Sequence, residues 1–252
     1  MRSFLLLLLC TLLPLAVPLS AGAEQPTNTA AEPEPPKHLT VAVLGDSLAD
    51  GVWGALYRKH VREKRLTIYR GAKNSIGFGG GDLMDMIDAA FSAGPVDAVV
   101  MMIGANDRRG VYATDGSLAA PYKSPKWPAA YGARVEGFMD AIAARKVPLI
   151  WILLPVMRED DASLDAKRIN MLVEGAAEIR PGVTLVKTWP MTIDGEGAYS
   201  AYLKDAKGQA HLVRAPDGVH FTDLGYDMIG AVAFTKLLEV SPPFQRMLQP
   251  KQ

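Results

Sequence analysis

Short, almost wholly apolar runs recur along this chain, separated by segments of helical pattern, and that alternation constrains the fold more than any other feature. Thr40 to Leu44, Leu66 to Tyr69, Val96 to Ile103, Leu149 to Leu154 and Thr184 to Lys187 read as strands. Leu48 to His60, Asp82 to Phe91, Tyr131 to Arg145, Leu164 to Ile179 and Asp223 to Glu239 read as helices. In the second of these Leu83, Met86, Ile87 and Ala90 share one face, as helical periodicity requires. A strand apolar on both sides must be covered on both sides. The expected architecture is therefore one α/β domain over residues 38–252, a three-layer α/β/α sandwich around a five-stranded, mostly parallel sheet.

Sheets of this kind place their functional crevice beyond the carboxyl ends of the strands. Gly45-Asp46-Ser47-Leu48 follows the first strand and Gly104-Ala105-Asn106-Asp107 follows the third, both on that edge. Asp217-Gly218-Val219-His220 precedes the last helix, which Thr222 or Asp223 would cap. Ser47 at a helix start offers a hydroxyl where developing negative charge is favoured, although a serine there is also a common helix cap. Asn106 offers a side-chain amide to a tetrahedral oxyanion, although asparagine is equally a turn residue. Asp217 can reach one imidazole nitrogen of His220 while the other faces the serine. His211 lies in a polar stretch without an orienting acid beside it, which makes it the poorer base. A further oxyanion donor could come from the glycine-rich segment Gly71 to Gly81, where backbone can approach a ligand closely. That segment carries neither phosphate-loop pattern, so a nucleotide site is not expected.

The amino terminus reads as a separate unit. Met1-Arg2-Ser3 precedes a 16-residue apolar run from Phe4 to Leu19, broken by Pro14 and Pro18, and Ala21-Gly22-Ala23 follows. This is the pattern of a secretory signal peptide over residues 1–23, cleaved after Ala23; a spanning helix needs about 20 apolar residues. Residues 24–37 contain four prolines and no apolar periodicity, and read as a linker. The expected location is periplasmic or secreted, with no membrane span after cleavage. Removing Arg2 from the 27 basic residues leaves 26 against 27 acidic ones, net −1, so there is no electrostatic case for nucleic acid. The one cysteine, Cys10, lies in the apolar run, and the four histidines are scattered, so neither a disulfide nor a metal centre is expected.

With those residues in view, the chain resembles the SGNH (GDSL-type) hydrolases, and in its surrounding text an exported bacterial branch of unassigned function. Gly45-Asp46-Ser47-Leu48 is similar to the first block of that family, Gly104-Ala105-Asn106-Asp107 to the G-x-N-D block and Asp217-Gly218-Val219-His220 to the D-x-x-H block. The order and spacing extend the match from Thr40 to about Leu238. The resemblance implies a flavodoxin-like SGNH fold, a Ser47–His220–Asp217 triad, and an oxyanion hole from the Ser47 N–H, the Asn106 amide and a loop glycine. Gly77 is the choice for that glycine, with Gly71 and Gly79 open. It implies attack of Ser47 on an ester carbonyl, with no cofactor and no metal.

Substrate is less legible. Tyr112, Tyr122, Trp127, Tyr199 and Tyr202 lie in two long segments that could shape a pocket, and suit sugar rings or ordinary packing equally. Arg108, Arg109, Arg158 and Arg214 could meet an anionic group or simply face solvent. The expected activity is hydrolysis of short acyl esters, O-acetyl above all, on a small molecule or a cell-envelope or extracellular glycan. Transfer of the acyl group to a sugar hydroxyl, or glycan binding without turnover, are the alternatives.

Overall fold

The computed structural model describes residue 34, residues 36–80 and residues 83–248. The predicted signal peptide, most of the predicted linker, and Asp82 lie outside those residues. In chain order the elements are β1 (Leu39–Gly45), α1 (Ser47–His60), β2 (Leu66–Arg70), α2 (Met84–Ser92), β3 (Ala98–Met102), β4 (Val111–Tyr112) and β5 (Leu118–Ala120). They continue with α3 (Trp127–Ala144), β6 (Leu149–Ile152), α4 (Asp160–Glu178), β7 (Val183–Val186), β8 (Tyr202–Lys204), β9 (Ala210–Leu212), α5 (Asp223–Val240) and α6 (Pro242–Leu248).

The central sheet runs β2-β1-β3-β6-β7, and all four pairings are parallel, where a mostly parallel sheet was expected. Every residue of β1, β3 and β6 is buried, as strands covered on both faces must be. Helices α1 and α5 pack on one another and against the sheet, while α2, α3 and α4 pack in series. A Cβ on Gly51 of α1 would collide with the ring of Tyr226 on α5, so that glycine sets how closely the two helices approach. Strand order reverses between β1 and β3, and this switch point is where both polar turns emerge.

Two helices begin a turn earlier than apolar periodicity indicates. Helix α3 starts at Trp127, with Pro128 in its first turn where a missing N–H costs nothing, and α4 starts with Asp160 and Asp161 facing the helix dipole. The pairs β4–β5 and β8–β9 are antiparallel hairpins of two or three residues per strand, too short for period-two alternation to reveal. Helix α6 follows Ser241 and seats Phe244 and Met247 in the core. Among the described residues no helix is long and apolar enough to cross a membrane.

Candidate active site

The carboxyl end of β1 delivers the serine. Gly45 has φ +133°, and a Cβ there would strike the Met102 carbonyl. Only glycine can turn the chain at this point. Asp46, not Ser47, caps α1: its Oδ1 accepts from the Leu48 N–H at 2.9 Å. The serine hydroxyl is thereby released from capping and donates to His220 Nε2 at 2.7 Å. His220 Nδ1 lies 2.7 Å from Asp217 Oδ2. A carboxylate partner there places the ring proton on Nδ1, leaving Nε2 as acceptor. The structure thus brings Ser47, His220 and Asp217, 170 residues apart in sequence, into one unbroken hydrogen-bonded chain.

Partial burial works against ionisation of Asp217, but the N–H groups of Val219 and His220 and the imidazole outweigh it and hold the carboxyl at about 2. Its Oδ1 accepts those two N–H bonds at 2.8 and 2.9 Å, which folds the tetrapeptide into the turn that aims the imidazole. Gly218, at φ +77°, leaves room in that turn for the Arg158 side chain. Thr222 caps α5 by accepting from the Gly225 N–H at 3.3 Å, which fixes the residues just before the helix.

Arg214 holds this loop from beneath. It is 1% exposed, and its guanidinium donates to the carbonyls of Val156 at 2.6 Å, Val219 at 2.9 Å, Gly218 at 3.2 Å and His220 at 3.3 Å. It also lies over the rings of Phe221 and Tyr199, at 4.4 and 5.0 Å. Burial pulls its pKa down to about 10, so it stays charged at neutral pH, with no carboxylate among the described residues in contact with it. An anion contact was one reading of this residue; its donors are instead spent on backbone. The sequence signal was present but ambiguous, since an arginine three residues before the Asp217 motif carries no mark of burial.

Asn106, after β3, donates through Nδ2 to the Ile76 carbonyl at 3.0 Å and to Asp46 Oδ2 at 3.3 Å. Asp46 is fully buried and also accepts from the Gly104 N–H at 3.2 Å; burial raises its carboxyl to about 6 against the pull of these N–H groups. Asp46 therefore ties the serine turn to the asparagine turn. Asp107 does the same for the glycine-rich segment. Fully buried, it accepts from the N–H groups of Phe78 at 3.1 Å and Gly79 at 2.9 Å and from the Tyr131 hydroxyl at 2.9 Å. Phe78 stacks on Trp151 at 5.9 Å within the core. Burying that ring contributes roughly 1.5–3 kcal/mol.

Of the three glycines considered, Gly71 donates its N–H to the Val43 carbonyl and Gly79 to Asp107. The Gly77 N–H donates to no group among the described residues, and a Cβ there would collide with Asp107 Oδ1. It lies on the edge of its peptide opposite the Ile76 carbonyl that Asn106 holds. The remaining candidates disperse. His211, expected to lack an orienting acid, has one in Asp205 at 3.0 Å, but the pair sits on the β8–β9 hairpin while Ser47 is bonded to His220; Trp127 is buried against Tyr131. No cluster able to hold a metal ion occurs among the described residues.

Solved structures share this architecture. A lipase/acylhydrolase from Enterococcus faecalis superposes with a TM-score of 0.56 at 16% identity, covering 85% of this chain and 99% of the other. A GDSL-like lipase from Bacteroides thetaiotaomicron gives 0.55 at 16% over 80% and 89%, and a member of the lipolytic G-D-S-L family from Veillonella parvula gives 0.52 at 16% over 81% and 100%. The fold is that of the SGNH (GDSL-type) hydrolases. The chain belongs to a family described as proteins of unknown function (DUF459), whose profile matches residues 40–236. No curated protein matches the chain significantly.

Proposed function

We propose that this protein is an exported serine hydrolase that cleaves short acyl esters, O-acetyl groups in particular, from a small molecule or a cell-envelope or extracellular glycan. The observation that carries the reading is the chain Ser47 Oγ–His220 Nε2–His220 Nδ1–Asp217, with both contacts at 2.7 Å. His220 takes the serine proton as Oγ attacks the carbonyl, and later gives it to the leaving alcohol. Asp217 holds the imidazole in the tautomer that can do so and stabilises the imidazolium. Water, activated by the same histidine, then releases the acyl group.

Negative charge developing on the carbonyl oxygen is met by fixed dipoles. Ser47 is the first residue of α1, so its N–H is one of the unpaired donors at a helix start. Asn106 would contribute its amide on giving up the weaker bond to Asp46. Gly77 would join if the 76–77 peptide tilts its N–H toward the same oxygen. No step in this sequence calls on a metal or cofactor. A pocket of about 120 Å³ lies on the Asp217 side of the triad, bounded by Ala105, Leu154, Arg158, Glu159, Asp217 and Val219.

The test is release of p-nitrophenol from acetate, butyrate and octanoate esters by wild type and Ser47→Ala. Serine-dependent turnover that falls with chain length supports the proposal. Equal turnover by the two proteins, or none by a folded wild type, removes it.

A further inference from the structure

A second cavity, of about 400 Å³, lies between the start of α3 and the outer face of α4. It adjoins the pocket beside the triad, because Asp165 and Ile169 of α4 line both. Its wall is apolar, formed by Trp127, Pro128, Ile169 and Leu172. Two cations, Lys123 and Arg168, also line it, and Arg108 lines the adjoining pocket. Three positive side chains converge on the single buried carboxylate of Asp165: Arg168 at 2.9 Å, Arg108 at 3.0 Å and Lys123 at 4.0 Å.

One carboxylate balances one of those charges. The Glu159 carboxylate lies 3.8 Å from Arg108, with its side chain 79% exposed. Through solvent it offsets only part of a second charge. Among the described residues these three cations therefore outnumber the carboxylates they contact, and Lys123 and Arg168, which line the cavity, are each about half exposed. The backbone is strained to put Lys123 there, with φ at +61°. That left-handed conformation costs a non-glycine residue roughly 1–2 kcal/mol and persists only where the surroundings enforce it. An apolar recess beside two half-exposed cations that share one carboxylate with a third is complementary to an amphiphile with an anionic head.

We propose that this cavity binds the remote, non-reacting end of the substrate, and that this end carries an apolar body and a carboxylate or phosphate. Lys123 and Arg168 contact the anion, Arg108 is held by Asp165 between the two pockets, and the apolar body lies on Ile169 and Leu172. The assignment builds on the esterase reading for the word substrate, while the site itself is defined by binding.

The test is calorimetric titration of the full chain with octanoate and octyl phosphate, beside neutral octyl glucoside and cationic octylammonium. The two anions should bind, with the neutral and cationic probes about tenfold weaker or worse, as befits a charge-assisted contact. The stronger of the two anions identifies the head group. Lys123→Ala/Arg168→Ala should lose that preference with the melting temperature unchanged, and Lys123→Arg/Arg168→Lys should keep it. Equal binding of neutral and anionic probes, no binding of either anion to folded protein, or undiminished binding in the alanine pair would overturn the proposal. Because the readout is binding, an enzyme without ester turnover that still selects octanoate loses the esterase reading and keeps this one. Turnover without anion selection gives the reverse.

Discussion

Replacing Arg214 by Met should damage catalysis as well as stability, although the side chain touches neither Ser47 nor any reacting atom. In the folded protein its guanidinium satisfies four carbonyls, three of them in the loop that carries His220. The Gly218 and His220 carbonyls keep backbone donors, the N–H groups of Arg158 and Ala215, so Val156 and Val219 are the two left without one. Each such carbonyl costs roughly 1–3 kcal/mol, and relief of the buried charge offsets part of the total, so a net loss of about 2–4 kcal/mol is expected. Most of it should fall on residues 214–221 rather than on the sheet. A loop freed to shift by about 1 Å moves His220 off line with Ser47, and misplacement on that scale costs about 10²-fold. The prediction is a kcat on p-nitrophenyl acetate reduced ~10²-fold with KM within about twofold. Lysine, a point donor in place of a planar fork, should recover part of the loss. Timed p-nitrophenol release gives the rate, and amide exchange mapped by peptide gives the location of the loosening. Wild-type kcat in Arg214→Met, or a loss that only tracks the unfolded fraction, would refute the reasoning.

Two further outcomes follow from the same geometry. Asn106→Ala should lower kcat by ~10²–10³, the usual size for one oxyanion donor, and full activity would exclude the residue from the mechanism. Asp46 is expected to make stability depend on pH: with its folded carboxyl raised to about 6, the protein takes up a proton on folding between about pH 4 and 6. Its contribution is therefore complete below about pH 4 and is lost as pH rises through 6, a change on the order of 3 kcal/mol. Urea unfolding of wild type and Asp46→Asn at pH 4 and pH 7 should show the wild type's relative stability falling across that range, and a constant difference would contradict the assignment.

The layered sheet was legible because β1, β3 and β6 are buried on both faces, and nothing but continuous apolar sequence survives there. The meeting of Ser47, Asp217 and His220 was legible because each stands in a short polar turn at or just ahead of a helix start, where the core does not dictate residue type. What sequence could not rank was which polar groups are buried. Asp46, Asp107 and Arg214 read as ordinary charged loop residues, yet each is fully withdrawn from water and ties one site loop to another. Their partners are mostly backbone N–H and carbonyl groups, which every sequence contains and no sequence pattern marks. The loop glycines were ambiguous for the same reason, since only the destination of each N–H separates Gly77 from Gly71 and Gly79. The cavity under α4 was invisible because its walls come from Trp127 and Leu172, 45 residues apart and joined only by the packing of α3 on α4.

The central claim is that Ser47 is a nucleophile activated by His220. Incubation with a fluorophosphonate, followed by peptide mass mapping, tests it without knowledge of the natural ester. A single adduct on the peptide containing Ser47, absent from folded His220→Ala protein, is the predicted result. An adduct on another serine, or none on folded wild type, would contradict the account.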